Sequence, residues 1–221
     1  IVTGNPDLEP ANRNNLYVGY NAFDFQKGTG FNLYAGGSVT NNQVVTQTIV
    51  DENFVRNTTY ANVDGVYNYW SSASYSKNIK MDTLKTLKYN LRLSYNGNRN
   101  INFNNEQQYA SNSTSISPNL QFTFTWKDVL DLIPSYSLSF SSNSYDLDLF
   151  EDRNFISHNA GLETVTYLPK KLEWRNNVDF NYNPDIAPGF QKSAWFWNST
   201  LAYSVFNDKA IITLKVYDLL N

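Results

Sequence analysis

The 221-residue chain contains no cysteine, which excludes a disulfide framework and a thiolate metal site. Charge is scarce: 17% of residues are Asp, Glu, Lys or Arg, against about 25% in ordinary globular domains. The net charge of -3 comes with no basic stripe, which argues against a nucleic-acid partner. No apolar run approaches the ~20 residues that a membrane helix requires. The opening Ile1-Val2-Thr3-Gly4-Asn5-Pro6 lacks the charged start and apolar centre of an export leader. An exported chain of this composition is therefore expected to have lost its leader or to be an internal piece of something longer.

Aromatic residues and small polar residues take the place of the missing charge. Aromatics make up 16% of the chain, as 16 Tyr, 14 Phe and 5 Trp, while the mean hydropathy stays at -0.48. A membrane barrel predicts that mixture. Half of each strand faces lipid and half faces a wet lumen, so apolar and polar positions average out.

Period-2 alternation runs nearly from end to end. In Leu172 to Tyr182 one face carries Leu172, Trp174, Val178, Phe180 and Tyr182, interrupted only by Asn176, and the other carries Glu173, Arg175, Asn177, Asp179 and Asn181. Leu87, Tyr89, Leu91, Leu93 and Tyr95 alternate with Lys88, Asn90, Arg92 and Ser94. Leu120, Phe122, Phe124 and Trp126 alternate with Gln121, Thr123, Thr125 and Lys127. Similar patterns cover Phe31 to Thr40 and Ser135 to Ser141. Roughly ten such strands are expected, many near the ~10-residue length of tilted membrane strands and longer than the ~5 to 6 residues of soluble ones.

The connections alternate too. Gln26-Lys27-Gly28, Pro169-Lys170-Lys171 and Asn207-Asp208-Lys209 read as short turns. Asn98 to Ser115, Asp146 to Asn154 and Asn183 to Gly189 read as longer polar loops. Bacterial barrels keep short turns on the periplasmic side and longer loops outside. Asp128 to Pro134 reads as a compact turn with its own packing, one helical turn in length. Trp70, Trp126, Trp174, Trp195 and Trp197 fall near expected strand ends and are assigned to the aromatic girdles of a bilayer. No composition shift marks a boundary, so residues 1–221 read as a single barrel domain.

Two segments and a middle stretch carry a family resemblance. Gly4-Asn5-Pro6-Asp7-Leu8-Glu9-Pro10 resembles the GNP-x-L-x-P segment that leads into a barrel strand in TonB-dependent receptors, here Asn12 to Phe23. Leu214-Lys215-Val216-Tyr217-Asp218-Leu219-Leu220-Asn221 resembles a late barrel strand of that superfamily's Bacteroidota branch. Asn62-Val63-Asp64-Gly65, followed by a strand ending Tyr75-Ser76-Lys77, is similar in style. The resemblance implies an antiparallel up-and-down transmembrane β-barrel in the outer membrane, of about 22 strands around a plugged lumen. It also implies nutrient import driven from the inner membrane by an energy-coupling protein acting through the plug. Plug, coupling box and terminal strands are expected to lie outside this chain, which reads as the C-terminal part of the barrel.

Few constellations suggest covalent chemistry. The single histidine, His158, has no nucleophile motif beside it, and a triad needs nucleophile, base and orienting acid together. A lumen-facing or loop-proximal position is expected for it, and the chain is expected to be neither an enzyme nor the holder of a cofactor. Asp146, Asp148, Glu151 and Asp152 are weak calcium candidates: their oxygens are hard ligands, but the glycine of an EF-hand loop is missing. Arg92, Arg175, Asn177 and Asp179 are assigned to the lumen. Three Asn-x-Ser/Thr triplets, at Asn57, Asn112 and Asn198, are chance matches in an Asn- and Thr-rich chain. The expected partners are outer-membrane lipid, a surface lipoprotein or larger envelope complex, and the energy-coupling protein. Two alternatives stand beside import. One is a plug-less barrel serving as a structural subunit of a secretion or barrel-insertion assembly. The other is a soluble extracellular β-sandwich acting as an adhesin or glycan-binding module.

Overall fold

The computed structural model describes residues 1–167, 169 and 171–220. Lys170, in one expected turn, and Asn221, the last residue of the resemblance, lie outside the described residues. The strands are β1 (Asn12–Asp24), β2 (Thr29–Asn41), β3 (Gln43–Val50), β4 (Arg56–Val63), β5 (Val66–Lys80), β6 (Lys85–Asn104), β7 (Gln107–Trp126), β8 (Leu130–Tyr145), β9 (Arg153–Thr166), β10 (Leu172–Tyr182), β11 (Ser193–Val205) and β12 (Ala210–Val216). Ten of them form one antiparallel sheet in the order β1-β2-β5-β6-β7-β8-β9-β10-β11-β12, and β3-β4 is a separate two-stranded hairpin. Each main-sheet strand pairs with its neighbour along the chain apart from the inserted hairpin, as in an up-and-down barrel. The sheet does not close: β1 and β12 are its two margins.

Register explains why the alternation is so long. Ala22, Phe31, Tyr75, Leu91, Leu120, Tyr136, Ala160, Phe180 and Trp195 stand side by side in one row from β1 to β11. One residue along, the row is Asn21, Asn32, Ser74, Arg92, Asn119, Ser137, Asn159, Asn181 and Ala194. A single-residue step thus exchanges an apolar face for a polar one across the whole sheet, and a register slip anywhere would expose the wrong set.

Among the described residues no sheet besides the β3-β4 hairpin exists to cover the apolar face, which rules out the sandwich. Buried apolar residues among those described are few and scattered: Val63, Ile101, Ala110, Leu147 and Val165. Leu91, Leu93, Ile116, Phe140, Ile156 and Trp174 are all exposed. A soluble protein rarely leaves so large a contiguous apolar area open; hydrocarbon is the solvent that suits it.

The two ends of the sheet differ. At one end the strands join through residues 25–28, 81–84, 127–129 and 206–209, and β9 ends at Thr166 where β10 soon begins at Leu172. Side chains close these turns: the Asp82 carboxylate accepts from the Leu84 and Lys85 amides at 2.7 and 2.8 Å. Gly28, at φ 64°, supplies a left-handed turn position that costs glycine nothing. The other end carries the β3-β4 hairpin and the longer segments 146–152 and 183–192. By the rule of short periplasmic turns, this second end faces outward.

Two expected connections are corrected. Asn98 to Ser115 is not a loop. β6 and β7, each 20 residues long, continue through it and meet at a two-residue turn, Asn105-Glu106, with Asn105 at φ 52°. At ~3.4 Å per residue these strands greatly exceed the ~9–11 residues that span a bilayer. Their outer halves stand in water, where both faces can be polar. Asp128 to Pro134 is not a helical turn either: Asp128, at φ 59°, makes the turn, and β8 begins at Leu130, so the apolar residues there belong to a strand.

The small core lies above the expected membrane. Val63, Ile101 and Ala110 pack with Val45, Val66 and Phe103, seating the β3-β4 hairpin on the projecting part of β6. The Gly4–Pro10 segment is tied down beside it. Asn5 Nδ2 donates to the Tyr60 carbonyl at 2.8 Å, and Asn62 Oδ1 accepts from the Glu9 amide at 2.8 Å.

Candidate lumenal site

Arg92, Arg175, Asn177 and Asp179 all stand on the polar face, but in separate neighbourhoods. On the β9-β10 pair, Arg175 Nη1 lies 2.9 Å from Glu163 Oε1, and its Nη2 lies 3.1 Å from Glu173 Oε1. Next along β10, Asn177 Nδ2 donates to Asp179 Oδ2 at 2.6 Å. Arg92 is several strands away on β6, where its Nε donates to Ser72 Oγ at 3.0 Å. Facing these charges toward water avoids the cost of a charge at the lipid surface. Glu163 is a partner that alternation alone did not single out, because it becomes a neighbour of Arg175 only across the β9-β10 register.

At the periplasmic end the polar face opens into a cavity of about 710 Å³ lined by Thr125, Asp131, Tyr167, Lys171, Glu173 and Ser204, among others. The Tyr167 hydroxyl donates to Asp131 Oδ2 at 2.8 Å, and Asp131 Oδ1 is buried with no hydrogen-bond partner among the described residues. Tyr167 lies in the turn after β9. Desolvation, and then its bond to the Asp131 carboxylate, push its pKa up to about 12. Both effects favour the neutral phenol, since a phenolate there would be poorly solvated and next to a negative charge.

The apolar face carries Trp126, Trp174, Trp195 and Trp197. Trp126 and Trp174 stand near the short-turn ends of β7 and β10, while Trp195 and Trp197 stand near the outer end of β11. Their indole N–H groups need acceptors even at an interface. Trp174 Nε1 donates to Ser199 Oγ at 2.9 Å, and Trp197 Nε1 donates to Asn176 Oδ1 at 3.2 Å. The second bond explains why Asn176 interrupts an otherwise apolar face. Lys85 Nζ sits 4.9 Å from the Trp126 ring centre, a cation–π contact at the membrane edge.

Two placements bear on the expectations. Trp70 is not a girdle residue. Its register partners are Gly36 and Asn96, so it lies on the polar face while the adjacent Tyr69 takes the apolar one. Of the lumen-facing and loop-proximal positions expected for His158, the lumen-facing one is not taken; the residue is the sixth of β9, counted from the outer loop. It pairs with Leu138 and Tyr182 on the apolar face, where its Nδ1 and the Tyr136 hydroxyl share a hydrogen bond of 2.7 Å. The calcium candidates lie at the β8-β9 loop, where two of them serve the backbone. Asp146 accepts from the Ala110 amide, and Asp152 accepts from the Tyr145 amide at 2.9 Å. Among the described residues no three acidic or histidine groups cluster so as to hold a metal ion.

A two-faced sheet of long antiparallel strands, with short turns at one end and loops at the other, is the wall of a membrane barrel. The model of the outer membrane protein beta-barrel family matches residues 1–141, well over half of the chain. The chain belongs to that family. The match runs from the N-terminal segment through most of β8, and β9 to β12 continue the same two faces in register. Family and fold together place this outer membrane barrel protein in the outer membrane. A comparison with curated proteins found no match.

Proposed function

We propose that the chain forms part of the wall of a TonB-dependent import barrel, of the Bacteroidota type that its motifs resemble. One observation carries the reading: the polar row from Asn21 to Asn181 is unbroken across a sheet whose ten strands do not close. Ten strands that stay open need further strands to complete a ring, and a wider ring leaves room for a plug or an aqueous path. The lumenal groups are amides, hydroxyls and a few paired charges, which can hold a plug by hydrogen bonds or pass a hydrated cargo. Recognition would occur at the outer loops, on a rigid scaffold. A surface lipoprotein would meet the barrel at that end. The energy-coupling protein would act from the periplasm, and no covalent chemistry is required of the chain.

Uptake in intact cells tests this. Accumulation of labelled nutrients, including ferric chelates, cobalamin, oligosaccharides and peptides, is measured in the parent strain, in a strain lacking this protein, and in one lacking the inner-membrane energy-coupling protein. The expected result is loss of accumulation of one nutrient class in both deletion strains. Normal uptake without the barrel, together with loss of another envelope complex from the outer membrane, would instead identify a structural subunit.

A further inference from the structure

Two prolines stand inside the wall. Pro118 is on β7 and Pro134 on β8, both interior strands of the sheet. A proline has no N–H for the ladder, so sheets confine it to edges and bulges. Neither exception applies here. The β7-β8 register keeps one phase from Ile116↔Phe140 through Leu120↔Tyr136 to Phe124↔Leu132, with no residue inserted. The ladder fails instead. It pairs Ile116 with Phe140 and next Asn119 with Ser137, passing over Pro118. It then pairs Gln121 with Ser135 and next Phe124 with Leu132, passing over Pro134. The far flank of each proline is intact, with Pro118 paired to Leu93 on β6 and Pro134 to Leu162 on β9. In an antiparallel ladder a residue turns its N–H and C=O to the same side, so both missing donors face the one seam between β7 and β8.

We propose that this seam is a lateral gate, a line along which the wall parts so that an amphiphile passes between the lumen and the bilayer. Both notches are at membrane depth. Trp126 marks the periplasmic girdle and a crossing takes ~9–11 residues, so Pro134 lies in the inner half of the crossing and Pro118 toward its outer limit. The carbonyls opposite them, of Phe122 and Leu138, receive no ladder bond from the prolines, in a medium that offers no water instead. Side chains do little to close the seam. Across β9-β10 the Arg175–Glu163 pair braces the wall at 2.9 Å. Across the β7-β8 crossing, among the described residues, one side-chain hydrogen bond is found, from Ser117 Oγ to Ser139 Oγ at 3.1 Å. The two margins select what passes. The lumenal margin carries Ser115, Ser117, Ser135, Ser137, Ser139 and Ser141, short hydroxyls that obstruct little and both donate and accept. On the lipid side a hollow of about 370 Å³ lies beside Pro118, lined by Leu91, Leu93, Leu120, Tyr136 and Leu138. A molecule with a polar head and an apolar tail meets hydroxyls on one side and hydrocarbon on the other throughout its passage. A wholly polar solute would be stopped at the apolar margin, and a wholly apolar one would not leave the lipid. The gate stands apart from the import reading, since it serves traffic in either direction.

Because the chain has no cysteine, a single introduced thiol can report the gate. Ser137→Cys lies at the seam, and Ser74→Cys lies in the same polar row between the uninterrupted pairings of β5 with β2 and β6. Each is placed in the full protein, reconstituted in phospholipid vesicles. The probe is a phospholipid bearing a maleimide at the end of an acyl chain, which a closed wall keeps out of the lumen. A water-soluble maleimide normalises the reactivity of the two thiols, and heat-modifiable electrophoretic mobility checks folding. Labelling from the lipid should be ~tenfold faster at Ser137→Cys than at Ser74→Cys, the difference that two absent hydrogen bonds make. Pro118→Ala combined with Pro134→Ala restores both donors and should slow the labelling of Ser137→Cys by a similar ~tenfold. Hydrogen–deuterium exchange in the same vesicles needs no substitution: peptides from 116–124 and 132–140 should exchange faster than those from 70–78 and 88–96. Equal labelling of the two thiols from the lipid, a rate that the folded double alanine variant leaves unchanged, or equal exchange at the two seams overturns the gate.

Discussion

Leu120 lies midway along the apolar face of β7, which runs through Ile116, Pro118, Leu120, Phe122 and Phe124 toward Trp126 at the strand end. Its register neighbours on the same face are Leu91 and Tyr136. An arginine placed there would find no carboxylate in its row, and the nearer girdle is the one at Trp126. The full depth-dependent penalty for arginine at mid-bilayer, ~2–4 kcal/mol, should therefore apply to Leu120→Arg. This corresponds to roughly a 30- to 700-fold shift in the unfolding equilibrium. Gln121→Arg changes the next residue, whose neighbours are Asn90 and Ser135 on the polar face. There the guanidinium stays in water, and the cost should be within ~0.5 kcal/mol. Reversible urea unfolding of the full protein from phospholipid vesicles, followed by tryptophan fluorescence, compares the two. Equal destabilisation at 120 and 121, or a larger loss at 121, would refute the assignment of the apolar face to lipid.

Gly97 stands opposite Tyr69, and a Cβ there would stand 2.2 Å from Tyr69 Cζ, the ring centre itself lying 5.3 Å from that of Tyr95. Gly97→Ala should cost ~1–3 kcal/mol through overpacking, read in the same unfolding assay. Tyr167, with its pKa raised from 10.0 to about 12, is favoured in its protonated form in the fold. The stability this gives is complete below pH 10 and lost as pH rises toward about 12. Against Tyr167→Phe, which has no proton to lose, the wild type should therefore decline across that window; parallel pH profiles would contradict the Asp131 contact. The Arg175–Glu163 pair is part-exposed, so a double-mutant cycle should give a coupling under ~1 kcal/mol that shrinks with added salt. A large, salt-insensitive value would mean that the lumen there is dry.

Much of the barrel wall was legible because one face of most strands is mainly apolar. β10 runs from Leu172 to Tyr182 as the alternation predicts, and Asn176, its one irregularity, is the acceptor for a tryptophan on the next strand. The projecting halves of β6 and β7 were not legible. Between Asn98 and Ser115 the apolar marker thins to Ile101, Phe103 and Ala110, with Arg99, Gln108, Asn112 and Thr114 on the same face, so the stretch reads as a polar loop. The β3-β4 hairpin was hidden for a related reason: its pairing partners are each other, not the main sheet. Trp70 was misplaced although a signal existed. Two consecutive aromatics cannot share a face, and the parity of Tyr67, Tyr69 and Tyr75 assigns Trp70 to the other one. His158 shares parity with Ile156, Ala160 and Leu162. The contact of Trp70 with Gly36 is different in kind, since the two meet only once β2 and β5 are aligned.

The margins of the sheet bear on how the protein reaches its membrane. Along β1 and β12 one flank of backbone amides and carbonyls pairs with no strand among the described residues, and hydrocarbon offers no substitute. The sheet consequently cannot enter the bilayer first and look for neighbours afterwards. Insertion and the zipping of those two flanks to whatever completes the ring must proceed together, which makes the flanks, not the apolar face, the step that a folding catalyst has to guard.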